Sequence, residues 1–213
     1  MNVKIKQKLS YEKRLKFISA RKYVKLGGYI VIWFGLWLLT PGLLSKNVGM
    51  LVTKSENGAL LVNCGLVLLL VILLLCLNIL NARALLLGRY KYWAIGLIVL
   101  SALTLPFHYH MPKPILIYFI WMGFSVIWQN FITFGLFYNS LQTLFQERTA
   151  LIGSILIFTL GHVVVLPDRF GITQPLNILF ILVVATILGV LRWKGKNLDL
   201  PIALHIAFYY FFS

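Results

Sequence analysis

The sequence predicts an all-α fold: a polytopic transmembrane helix bundle of about seven spanning helices, with its amino terminus cytoplasmic. Three observations lead there. Hydrophobic residues make up 60% of the 213-residue chain, charged residues only 12%, and the mean hydropathy is +0.88. Soluble domains carry about 25% charged residues, so this chain cannot cover a water-facing surface. Several apolar stretches reach the ~17–25 residues that cross a bilayer as a helix, a form that satisfies its own backbone in lipid. The Lys and Arg residues, 20 against 5 Asp and Glu, cluster between the apolar stretches. Together these exclude a soluble enzyme, a disordered chain and a secreted disulfide scaffold.

Residues 1–26 form a basic cytoplasmic or interfacial segment, with nine Lys and Arg against Glu12. Tyr11, Leu15 and Ile18 fall at helical spacing, which suits the inner membrane face; a plain tail accounts for the composition equally well. Residues 27–213 form the bundle. Its first span, 27–44, follows a long basic region and no small-x-small cleavage site follows it, so it reads as a retained helix rather than a signal peptide. Further spans are expected at 59–80, 93–107, 115–139, 150–166, 175–191 and 198–213. Pro106, Pro112 and Pro114 punctuate one turn, and Asp168 with 171–175 marks another.

With the amino terminus inside, sixteen basic residues fall in cytoplasmic segments and four in external loops, as the positive-inside rule requires. The net charge of +15 therefore belongs to loops that meet anionic headgroups, and no nucleic-acid partner is expected. Cys64 and Cys76 lie twelve positions apart on one span, about 18 Å by helical rise, too far for a disulfide.

Polar residues inside the spans narrow the function. The spans hold no Asp or Glu apart from Asp199, the second residue of the last one, which argues against an ion-coupled transporter. Asn63, Asn78 and Asn177 read as interhelical hydrogen-bonding glue. Gln129, Asn130, His162 and His205 come from three helices at a similar depth, roughly 10–18 Å from the cytoplasmic face by rise. They converge on one cavity if those helices are neighbours; otherwise each makes a lone interhelical bond.

The spacing of these residues carries more. One helix reads Ser154-Ile-Leu-Ile-Phe158-Thr-Leu-Gly-His162, and the last reads Leu200-Pro201-Ile202-Ala203-Leu204-His205. Thirty-three residues before His162 stands Gln129-Asn130-Phe131-Ile132-Thr133-Phe134-Gly135. In this order the segments resemble the CPBP family of intramembrane proteases, the CAAX prenyl endopeptidases and bacteriocin-processing or self-immunity proteins, also called Abi. The likeness covers 115–213 as a CPBP-like core. It implies a Glu-Glu-x-x-x-Arg motif where this chain has Gln129, Asn130 and Phe134, and an Asn where it has Tyr209. The family's first Glu activates water. A Gln amide cannot take that proton, and losing a general base commonly costs ~10²–10⁴-fold.

The resemblance therefore implies a site that keeps its shape and loses its base: no confident catalytic residue, with Gln129, Asn130, His162 and His205 as a remnant. Glu147 is the one remote acid that could substitute, but it is expected to be a loop charge paired with Arg148. Zinc is expected only if the protein still cuts, held by His162 and His205. His108 and His110 are two ligands without a third.

Three functions follow as expectations. The first is a proteolytically inactive scaffold or regulator of a membrane or cell-envelope protein or peptide, or a bacteriocin self-immunity protein. The second is an active metal-dependent endopeptidase, and the third a small solute-binding transport subunit. The expected setting is the lipid bilayer of a bacterial plasma membrane.

Overall fold

A computed structural model describes residues 20, 22–37, 39 and 48–213. Most of the basic segment 1–26 lies outside the described residues. Helix α1 runs over 22–37, followed by α2 (Glu56–Leu77), α3 (Ile79–Leu86), α4 (Lys91–Thr104), α5 (Ile115–Asn130), α6 (Tyr138–Gln142), α7 (Glu147–Val165), α8 (Pro167–Phe170), α9 (Pro175–Gly195) and α10 (Asp199–Phe211). No strand occurs among the described residues.

Among the described residues, four helices are long and apolar enough to cross a membrane: Glu56–Leu77, Ile115–Gln142, Glu147–Val165 and Pro175–Gly195. A fifth results if Ile79–Leu86 and Lys91–Phe107, bent by 73° at their junction, count as one broken span. The expected span 93–107 is thus the second limb of a bent pair. Helix α10 has 13 residues, about 20 Å by rise, short of the ~30 Å hydrocarbon core. Leu69, Trp93, Leu176 and Leu179 are exposed on these helices, as lipid-facing side chains must be.

Local sequence explains the breaks. Ser55 caps α2 by accepting from the Gly58 amide, an N-cap role suited to its short hydroxyl. Asn78 ends α2, and its amide donates to the Leu74 carbonyl at 3.0 Å. The bend between α3 and α4 falls at Gly88, where an added Cβ would lie 2.1 Å from Asn197 Nδ2 and 2.5 Å from Asp199 Oδ1. Only glycine lets the start of α10 close on this turn. There the Leu198 amide donates to the Leu85 carbonyl at 2.7 Å, and Asp199 Oδ2 accepts from the Tyr90 amide at 3.0 Å. Helix α10 packs along α4, α5 and α9, α7 along α9, and α2 along α5.

The expected span 115–139 holds a feature with no sequence signal. Residues Phe131–Phe137 are π-helical, joining α5 to α6 in one rod, and all seven are buried. A π turn widens the helix and misaligns its carbonyls, and it occurs often at functional sites. Arg192 fills the opening: Nε donates to the Phe134 carbonyl at 2.9 Å and Nη2 to Asn139 Oδ1 at 2.8 Å. Its guanidinium lies 5.0 Å from the Tyr138 ring centroid. The sequence places Arg192 in a basic cytoplasmic turn, whereas the structure buries it in the last turn of α9. A buried guanidinium needs several acceptors, and the π segment supplies them.

Asn78 bonds between helices as expected, whereas Asn63 holds the short turn that precedes α2. Asn63 Oδ1 accepts from the Gly49 amide at 2.9 Å, and Asn78 Oδ1 from the Tyr29 hydroxyl at 3.3 Å. Asn177 is exposed instead, its amide on the Arg169 carbonyl at 2.8 Å, and it ties α9 to α8. Cys64 and Cys76 are free thiols.

Candidate functional site

Helices α5, α7 and α10 bring the predicted polar residues together. Gln129, His162 and His205 line one cavity of about 590 Å³, and all three are buried. Asn130, fully buried, stands behind it: its amide donates to the Val126 carbonyl at 2.8 Å and to His205 Nδ1 at 2.9 Å. An amide NH₂ only donates, so His205 Nδ1 is the acceptor and its Nε2 carries the proton. On α7, His162 Nδ1 donates to the Phe158 carbonyl at 2.9 Å, which leaves Nε2 a bare lone pair. Neither His162 Nε2 nor Gln129 Oε1 has a hydrogen-bond partner among the described residues. The floor is thus lined by residues that carry two unpaired buried acceptors, Gln129 Oε1 and His162 Nε2.

Aromatic rings hold the imidazoles in place. Phe158 lies 4.6 Å from His162 and 5.6 Å from His205 by ring centroids, and Tyr209 stacks on His205 at 5.3 Å. Trp37 meets His162 edge-on at 5.0 Å. Trp37 comes from α1, a wall residue that sequence reasoning missed because it lies ninety-two positions before Gln129 and belongs to none of the motifs. Helix α1 sits this close because α7 has a glycine at the contact: a Cβ on Gly161 would lie 2.2 Å from Trp33 Cη2. Trp33 Nε1 donates to Thr133 Oγ1 at 2.7 Å, fixing α1 to the π segment.

The cavity reaches the surface at the end of the bundle formed by Pro112, Lys113, Arg169 and Phe212. Sequence orientation assigns these residues to the external side, although it measures the site's depth from the cytoplasmic face. Tyr109 braces this mouth by donating to the Lys113 carbonyl at 2.6 Å. Burial raises its phenol above the ordinary value, so it keeps the proton it donates.

Glu147 does not reach the cavity. It opens α7 at the other end of that helix, pairs with Lys196 rather than with Arg148, and accepts from Gln142 Nε2 at 3.3 Å. The correction has a simple cause: Lys196, in the left-handed turn that ends α9, lies across the α7–α9 contact, whereas Arg148 is the next residue along α7.

The site's residues do not make a zinc centre. Catalytic zinc takes three protein ligands from His, Cys or carboxylate. Here His162 and His205 are joined by amides alone, and no group of three or more His, Cys, Asp or Glu suited to a metal occurs among the described residues. His108 is engaged elsewhere, with Nε2 on the Tyr210 carbonyl at 2.6 Å.

Compared with known proteins, residues 112–211 match the family described as type II CAAX prenyl endopeptidase Rce1-like. No curated protein and no solved structure matches the chain. The match spans α5 through α10 and therefore the Gln129, His162 and His205 cavity; α1, with Trp37, falls outside it. Residues 112–211, just under half of the chain, are thus similar to an Rce1-like membrane domain of the CAAX protease family.

Proposed function

We propose that this domain binds a membrane or cell-envelope peptide or protein without cutting it, as a scaffold, a regulator or a self-immunity protein, in a bacterial plasma membrane. One observation carries the reading: among the described residues, no carboxylate lines the cavity. The four acids among the described residues are all placed elsewhere. Glu56 opens α2, Glu147 pairs with Lys196, Asp168 lies on the exposed α8 turn, and Asp199 caps the α3–α4 bend. Gln129 offers an amide oxygen that accepts a hydrogen bond from water or an N–H and keeps no proton. The floor can hold a polar group in place without activating it.

A second reading has its own observation. His162 lines the cavity and its Nε2 is an unpaired base, and a histidine can take a proton from water. The experiment separates the two. The full chain is captured from native membranes in detergent, and intact-mass spectrometry reads whatever co-purifies. The binding reading expects a full-length partner, with lower recovery for the His162→Ala, His205→Ala double variant and no change in partner mass. A partner shortened at one defined bond by the wild type, and intact with His162→Ala, overturns it.

A further inference from the structure

The α4–α10 pair is shorter than the membrane around it. Helix α4 has 14 residues and α10 has 13, about 20 Å each by rise, against the ~30 Å hydrocarbon core. The two pack side by side and are tied at both ends, which fixes the height of this flank. At one end the Leu198 amide bonds the Leu85 carbonyl and Asp199 Oδ2 accepts from the Tyr90 amide. At the other, His108 Nε2 lies 2.6 Å from the Tyr210 carbonyl. Most of α10 is covered, and α4 makes the outer side: Tyr92, Ile95, Val99 and Leu103 are all exposed and share one face by their helical spacing.

The α3–α4 bend closes this flank at the end away from the cavity mouth. Arg83 and Arg89 are exposed and Lys91 is half-buried. None of the three has a hydrogen bond or an ion pair among the described residues. Arg89 and Lys91 lie 5.7 Å and 5.0 Å from the ring centroids of Tyr90 and Tyr92. The acid beside them, Asp199, is buried against the bend, so three cations face one carboxylate. Tyr92 and Trp93 are 75% and 78% exposed, and such rings belong at headgroup level. In a bilayer of full thickness, with the far end of α4 at its own boundary, the bend would lie about 10 Å inside the hydrocarbon. Unpaired cations are costly there, so the headgroups must come to them.

We propose that the α3–α4 bend binds anionic phospholipid headgroups, brought to it by thinning of the bilayer along α4. Arg83, Arg89 and Lys91 meet the phosphates, Tyr92 and Trp93 sit at the glycerol level, and Ile95, Val99 and Leu103 face the shortened acyl layer. The site is independent of what the cavity holds.

The test uses the purified full chain carrying Cys76→Ser and Ile95→Cys, labelled at position 95 with bimane and placed in phosphatidylcholine nanodiscs. Position 95 is one turn from Lys91 on the same face. Doxyl-labelled phosphatidylglycerol and phosphatidylcholine are compared as quenchers of the dye. The anionic lipid is expected to quench at least about fivefold better. The Arg83→Gln, Arg89→Gln, Lys91→Gln triple variant should bring the ratio to about one. The Arg148→Gln, Lys194→Gln variant, which removes two exposed cations at the same end of the bundle, should leave it within about twofold. Raising salt to about 1 M, where the Debye length is ~3 Å, should at least halve the preference without any charge variant. A second label at Phe107→Cys reads the far end of the flank, and nitroxides at the headgroup and along the chain give both depths. Those depths, each below its nearest headgroup level, should add to about 5 Å or less, against about 12 Å in a bilayer of full thickness.

Equal quenching by the two lipids, or a preference that survives both the triple variant and the salt, overturns the inference. A preference lost equally in the Arg148→Gln, Lys194→Gln variant overturns it in favour of the general charge of that end. A preference abolished by excess inorganic phosphate at constant ionic strength overturns it in favour of a soluble anion. Depths that add to the full-thickness value overturn it as well, because the bend would then lie in hydrocarbon.

Discussion

Replacing Gly161 by Ala should detach α1 from the cavity wall. The new Cβ would lie 2.2 Å and 2.6 Å from Trp33 ring carbons and 2.8 Å from Trp37 Nε1. Both indoles are nearly fully buried, so they can escape only by moving the helix. Overpacking of this kind costs ~1–3 kcal/mol. Moving α1 also gives up the Trp33–Thr133 hydrogen bond, worth about 1 kcal/mol net, and the edge contact of Trp37 on His162, worth roughly 0.5–1.5 kcal/mol. A loss of about 3 kcal/mol follows, or roughly 6–12 °C in melting temperature for a chain of this size. Thermal unfolding in detergent can be read by a thiol-reactive dye at Cys64, which is 5% exposed, in a Cys76→Ser background that removes the exposed thiol. Trp33→Leu should partly restore Gly161→Ala, because it vacates the space the methyl needs. A melting temperature within about 2 °C of the parent, or a double variant worse than the sum of the singles, would refute the packing argument.

Three other outcomes are expected. Gly88→Ala drives a methyl into the Asn197 side chain and Asp199 Oδ1 and should cost about 2 kcal/mol or more; Asn197→Ala in the same chain should recover part of it in the same dye assay. Arg192→Leu leaves the Phe134 carbonyl and Asn139 Oδ1 without their donor and should cost roughly 2–4 kcal/mol, with Arg192→Lys intermediate, measured as the midpoint of denaturation in SDS-containing mixed micelles. Lys196→Gln breaks the Glu147 pair, whose side chains are 64% and 42% exposed, and should shift stability by less than ~1 kcal/mol with no effect on peptide capture.

Much of the bundle was legible in the chain because lipid imposes a simple rule: long apolar runs become helices. The site was legible as well, since His162, His205 and Gln129 are polar groups in the wrong solvent, and such groups need one another or a guest. What escaped were partnerships that depend on tertiary approach. Nothing in Phe131–Phe137 distinguishes a π turn from an α turn. Arg192 sits in a basic run whose other members face water, and its acceptor is 58 positions away. Trp37 reads as one aromatic among six tryptophans. Its place in the wall depends on a glycine on another helix. Glu147 adjoins Arg148 in sequence, but its partner Lys196 comes from the turn that ends α9, 49 positions away.

The π segment also sets a helical phase. Gln129 and Asn130 lie upstream of it, and Tyr138 and Asn139 lie downstream on the same rod. A π turn takes up one residue more than an α turn, so the flanking α segments keep the phase they would have without that residue. If the same residues wound as plain α-helix, each advancing about 100°, the upstream half of the rod would swing by about that angle and carry Gln129 out of the cavity. In this protein a change of winding on a buried helix, far from any loop and with no change in the site's own residues, would act as a change of binding specificity.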